Sequence, residues 1–145
     1  MRDLIERLQR TFAITVNEAG EAWALLVAKP EGLSFEIVVP HDVLEWFVTV
    51  RNAHSEIWSD WADYYPIAGE TTAQLKQDMA ADIEWFVTNL MAAPLRYAVP
   101  ATPEAPRGPW QKIKSFAVQR LRLQPRTILE WQRDGAWQRI SMCAT

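Results

Sequence analysis

Proline placement constrains this chain more than any other feature. Five of its nine prolines, Pro94, Pro100, Pro103, Pro106 and Pro109, fall within residues 94–109. Each lacks an amide donor and holds φ near −65°, so neither a helix nor a central strand can run through this stretch. The chain therefore reads as a main body over 1–93, a stiff extended connection over 94–109 and a basic C-terminal β segment over 110–145 that packs on the body. At 145 residues the three parts make a single domain.

Within the body, short apolar runs alternate with isolated glycines. Residues 3–11 predict a short amphipathic helix, with Leu4, Ile5, Leu8 and Phe12 on one stripe and Asp3 and Glu6 in a capping-box spacing. Phe12 to Val16 and Ala22 to Ala28 predict two strands joined through Asn17–Glu21, and Leu33 to Val39 a third. Leu44 to Val50 reads two ways: the Pro40-His-Asp42 lead-in and Glu45 suit a helix start, but the run is rich in branched and aromatic side chains, which lose rotamer freedom in a helix, so a strand is expected. Asn52 to Ser55 then forms a turn, and Glu56 to Trp61 the return strand. Thr72 to Ala92 is the one long helix: Leu75, Met79, Ile83, Phe86 and Leu90 recur at helical spacing, Thr71 or Thr72 caps it, and Pro94 ends it. The pentapeptide Glu-Trp-Phe-Val-Thr occurs at 45–49 and again at 84–88, so the same letters are expected to serve once as strand and once as helix.

The clearest local signal lies near the C-terminus. Asp134-Gly135 is a type I′ turn dipeptide between Thr127–Arg133 and Ala136–Met142. A two-residue loop pairs Trp131 with Gln138 and Leu129 with Ile140 on one face, and Glu130 with Arg139 on the other. Upstream, Lys112, Lys114, Arg120 and Arg122 share one parity and Ile113, Ala117, Leu121 and Leu123 the other, which reads as a strand with a basic face; a helix on Ile113, Phe116, Ala117 and Leu121 is the alternative. The fold class that results is α+β: an antiparallel meander sheet packed against one long helix, with a short N-terminal helix and a C-terminal β-hairpin.

The formal net charge of −3 conceals a segregation. Residues 41–105 carry ten acidic against three basic side chains, whereas residues 106–145 carry eight basic against two acidic. Such a distribution steers oppositely charged partners. The longest apolar run, Ala22 to Ala28, is far short of the ~20 residues a membrane span requires. The N-terminal MRDLIERLQR lacks the apolar core of a secretory signal. A cytoplasmic location without membrane contact is the expectation. Cys143, the only cysteine, excludes an intrachain disulfide and a cysteine-based zinc site.

No phosphate-binding glycine loop, nucleophile elbow or His-Glu-x-x-His is present. His54, Glu56, Asp60 and Asp63 are the best metal-ligand candidates, and around a metal they would make a small hydrolase. Their spacing matches no ligand pattern, and an extended strand sends alternate side chains to opposite faces, so a solvated acidic loop is the plainer reading. Cys143 paired with a distant His is a weaker nucleophile candidate, because chain ends fray. The basic C-terminal stretch with Trp110, Phe116, Trp131 and Trp137 has the makings of a nucleic-acid surface. The sequence pI near 5.4 and the acidic middle oppose that, so no nucleic-acid partner is expected.

The densest unusual feature is Ile57-Trp-Ser-Asp-Trp-Ala-Asp-Tyr-Tyr65. Trp58, Trp61, Tyr64 and Tyr65 combine large apolar area with polar tips, and Asp60 and Asp63 beside them attract cationic groups. These six residues form the candidate site for a protein partner. The competing readings are a core role for the tryptophans, or a Trp-lined pocket for a small ligand.

The stretch WFVTVRNAHSEIWSDWADYY at 46–65, followed by a capped helix containing DIEWFVTNL, resembles the small cytosolic immunity proteins that neutralise bacterial toxins. The resemblance spans about residues 44–92. It implies inhibition of a cognate toxin by a tight protein–protein contact, without catalysis. The acidic, aromatic middle in turn points to a basic toxin domain as partner, and no cofactor is expected.

Overall fold

In the computed structural model, described for residues 1–67, 69–98 and 128–142, eight strands and two helices follow one another along the chain. The helix α1 spans Arg2–Phe12 and α2 spans Thr72–Ala92. Strands β1 (Thr15–Ala19), β2 (Ala22–Ala28), β3 (Ser34–Pro40), β4 (Glu45–Arg51) and β5 (Glu56–Asp63) form an antiparallel meander in chain order. A second sheet of three antiparallel strands comprises β6 (Leu95–Ala98), β7 (Ile128–Arg133) and β8 (Ala136–Arg139), with β7 central. The architecture is α+β, as the residue patterns predicted. Among the described residues no helix is long and apolar enough to cross a membrane.

Period-2 alternation governs the meander. Trp23, Leu25, Val27, Phe35, Ile37, Val39, Trp46, Val48 and Val50 are buried on one face, with the intervening residues turned to the other. Both helices cover this apolar face. Leu4, Ile5 and Leu8 of α1 and Met79, Ile83, Phe86, Val87 and Leu90 of α2 join the same core. Arg7 ties the helices together, with Nε and Nη2 donating to the two carboxylate oxygens of Glu84 at 3.1 and 2.7 Å. On the far side of α2, Trp131 of β7 is 1% exposed and sits edge-on to Trp85, ring centroids 5.3 Å apart.

Two capping devices set the limits of α2. Thr71 accepts the Gln74 amide, and the Gln74 side chain accepts the Thr71 amide, which closes a capping box. At the other end the last turn carries no basic residue of its own. Lys29, from the β2–β3 turn, extends Nζ to the carbonyls of Leu90, Ala93 and Met91 at 2.8, 3.1 and 3.4 Å. The cation thus meets the negative end of the helix from another element.

Several local expectations need correction. The capping box at Asp3 and Glu6 does not form. The helix starts one residue earlier, with Met1 as N-cap and no side-chain cap, so Asp3 lies inside the first turn, where its charge favours the helix dipole. Phe12 belongs to α1 rather than to a strand; Ala13 closes the helix in a left-handed conformation at φ 52°, and β1 begins at Thr15. The first hairpin is tighter than expected, with Ala19 opposite Ala22 across Gly20 and Glu21. The stretch assigned to the proline-rich connection begins instead with an edge strand, because Leu95–Ala98 lies between Pro94 and Pro100 and keeps its amides. The C-terminal turn forms as predicted, with Asp134 at φ 51° and Gly135 at φ 76°, and Glu130 pairs with Arg139. The expected basic strand at 110–124, the prolines from Pro100 to Pro109, and Cys143 lie outside the described residues.

Replacing Lys29 by Met retains the apolar stem and removes the charge that meets three helix carbonyls. Urea unfolding is expected to register a loss of about 1–2 kcal/mol, the scale of charged hydrogen bonds in a part-buried setting.

Candidate functional site

The candidate residues lie on β5 and just after it, at the edge of the meander, and alternation divides them between the two faces. Trp58 stands opposite Val50, Asp60 opposite Val48 and Ala62 opposite Trp46, so these three face the helices. Trp61 stands opposite Phe47 and Asp63 opposite Glu45, on the face that no described element covers. Trp58 is half-buried against the core, whereas Trp61 is 59% exposed and Tyr65 74% exposed. The six residues therefore do not form one surface.

Tyr64 plays a structural part. Its hydroxyl donates to Asp82 of α2 at 2.8 Å and accepts from the Trp46 indole at 3.2 Å. This bond chain ties the end of β5 to the helix. Asp60 guards the sheet edge. The Tyr64 amide donates to the Leu44 carbonyl at 2.9 Å. By the antiparallel alternation, the backbone groups of Ser59, Trp61 and Asp63 then point away from β4. The Asp60 carboxylate accepts the outward Trp61 amide at 3.0 Å. An edge amide that would otherwise pair with a foreign strand is thereby occupied.

The uncovered face carries the remaining three candidates and a set of residues the sequence reading did not single out. Ala24, Val38, Phe47 and Trp61 stand directly opposite one another across β2, β3, β4 and β5. This apolar row crosses the sheet, with Leu26 exposed beside it. Beyond its Trp61 end, Glu45 and Asp63 face each other at a non-hydrogen-bonded position, where cross-strand side chains approach most closely. Like charges so placed are destabilising, by up to about 1 kcal/mol. Among the described residues neither carboxylate has an ion-pair partner. Arg51, the cation on this face, is committed to Glu36 at 2.7 Å and Glu56 at 4.0 Å. The Tyr65 hydroxyl instead donates to Asp63. That hydrogen bond, followed by the Asp63 charge itself, raises the Tyr65 pKa above its ordinary value. An open hollow of about 180 Å³ lies here, lined by Val43, Leu44, Glu45, Asp63, Tyr64 and Tyr65. No tryptophan lines it.

The metal-ligand candidates are not brought together. Glu56 faces Arg51, Asp60 turns to the Trp61 amide, Asp63 holds Tyr65, and His54 is exposed in the Asn52–Ser55 turn. Glu56 and Asp63 are separated by nearly the whole strand, about 23 Å at 3.3 Å per residue. Among the described residues no group of three or more metal-ligating side chains exists. Of the aromatic side chains proposed for base stacking, Trp131 is buried and Trp137 lies under the Arg96 guanidinium at 4.3 Å. Trp110 and Phe116 lie outside the described residues.

Compared with family models, with curated proteins and with solved structures, the chain finds no match in any of the three.

The signal for Glu45 was available in the sequence only once the β4–β5 register was known, because the two carboxylates are 18 positions apart. Glu45→Lys converts the opposed pair to an attractive one, and thermal or urea unfolding is expected to register a gain of about 0.5–1 kcal/mol. In a spectrophotometric titration, Asp63→Asn is expected to bring the Tyr65 phenol to ionise at lower pH than in the parent protein, with Tyr65→Phe identifying the signal.

Proposed function

We propose that this protein is a non-catalytic, cytoplasmic binding protein, an inhibitor of the immunity type that neutralises a basic toxin domain by direct contact. The single observation that carries the reading is the uncovered sheet face at β5. There Trp61 and Tyr65 expose large rings beside Asp63 and Glu45. Exposed aromatic side chains of this size are costly in water and are the residues most often found anchoring protein interfaces. The surrounding charge supports a basic partner, since residues 41–105 carry a strong acidic excess and opposite fields accelerate association. Asp60 and Tyr64 support the surface from behind rather than touching the partner, and Trp58 packs into the core.

The test mixes the purified protein with the product of the adjacent gene and follows binding by calorimetry at low and moderate salt. A complex is expected whose affinity falls with ionic strength. Trp61→Ala and Asp63→Lys are each expected to weaken it at least tenfold, with the fold intact by circular dichroism. Absence of a complex at low salt, or unchanged affinity in both variants, overturns the proposal.

A further inference from the structure

We infer that the uncovered face of the five-stranded sheet receives an arginine-bearing apolar segment of the partner, laid across the row Val38–Phe47–Trp61 with its guanidinium between Glu45 and Asp63. The inference rests on the binding reading above and names the chemistry of the partner.

Three observations converge on it. First, the row is apolar across four strands and ends at Trp61, the most exposed tryptophan among the described residues. Second, among the described residues the charge on this face is unbalanced in one place only. Arg51 compensates Glu36 and Glu56 at one end, while Glu45 and Asp63, directly opposed at the other end, have no cation among the described residues. A cation entering there relieves a repulsion already present in the free protein. Third, the carboxylates adjoin the Trp61 and Tyr65 rings. A planar guanidinium satisfies carboxylates bidentately and stacks on aromatic faces, whereas an ammonium is a compact and strongly hydrated charge. Arginine therefore fits this setting better than lysine.

The mode of docking follows from the edge. Adding a strand beside β5 requires its outward amides, and the Trp61 amide is already held by Asp60. No described element covers the face, whereas the edge is guarded, so the segment lies on the sheet rather than extending it.

The test uses the full chain with labelled tryptophan indoles and three defined probes: the capped peptides acetyl-Arg-Leu-Arg-Leu-Arg-amide, its lysine counterpart and its glutamate counterpart. The NMR signal of the Trp61 indole, assigned with Trp61→Phe, is expected to shift saturably with the arginine peptide. Binding of the lysine peptide is expected to be several-fold weaker, and the glutamate peptide is expected to leave the signal in place. The double variant Glu45→Gln/Asp63→Asn, which removes the repulsion and leaves an amide oxygen at position 63 to accept from the Tyr65 hydroxyl, is expected to keep its fold and to bind the arginine peptide at least tenfold more weakly. Asp78→Asn on α2 is expected to bind as the parent does. An unmoved Trp61 indole, equal binding of the lysine peptide, or an equal loss in Asp78→Asn overturns the inference. A carbodiimide crosslink within the free chain from Asp63 to Lys112 or Lys114 also overturns it, in favour of the chain's own basic segment as occupant. If the adjacent gene product binds while the arginine peptide does not, the inference falls and the binding reading stands. If the peptide binds while that protein does not, the surface chemistry stands and the choice of partner falls.

Discussion

The structure depends on Phe86. Its ring is fully buried in the middle of α2, 5.4 Å from the Trp46 ring of the meander on one side and 5.9 Å from the Trp131 ring of the smaller sheet on the other. One helix thus supplies apolar surface to two sheets. Burying three large aromatic side chains at one contact contributes several kcal/mol, on the scale of roughly 25 cal/mol per Å² of apolar surface removed from water. The capping box at Thr71 and the Lys29 cation at the far end hold α2 to the length that spans this contact.

With one helix serving both sheets, no described element covers the opposite face of the meander. A sheet with one wet face is normal for antiparallel strands, provided that face is polar. Here it is only partly so. Phe47, Trp61 and Leu26 are exposed on it, and Glu45 opposes Asp63. Both features work against the free fold, one by wetting apolar rings and the other by repulsion. Under the proposed binding role, contact with a partner would recover that cost, the kind of trade between stability and function that proteins tolerate. Meanwhile the same strand protects itself along its edge, through Asp60 and the Trp61 amide.

Much of the fold was legible in the residue pattern because local and global preferences agree. The helical spacing of Leu75 to Leu90 and the Asp134-Gly135 turn are short-range features that form at the predicted place, and of the two expected caps Thr71 is the one that forms. Misreadings occurred where long-range contacts decide. Asp3 matched a capping spacing, yet α1 begins at Arg2 with Met1 as its N-cap and no side-chain cap. Lys29 and Glu31 reach the end of α2 and the start of β6, more than sixty positions away, and no local pattern announces such bonds. At the site, the aromatic and acidic cluster was visible as composition. Its division between two faces, and the part played by Glu45, required the register of β4 against β5.

The repeated pentapeptide separates the two kinds of information. At 45–49 the letters Glu-Trp-Phe-Val-Thr form a strand, in which Trp46 and Val48 are buried and Phe47 is left on the open face. At 84–88 they form part of a helix, in which Phe86 and Val87 are buried and Trp85 is half-buried. By itself the sequence determined that each copy belongs to its element, through the branched and aromatic run of 46–50 in one case and the cap and apolar spacing in the other. Only the tertiary structure decided which aromatic ring of each copy faces the core and which faces water. The physical reason is that side-chain direction follows from backbone period, two in the strand and 3.6 in the helix, whereas the choice of face follows from what packs against it. That choice made Phe86 the hinge of the core and left Phe47 beside Trp61 on the open sheet.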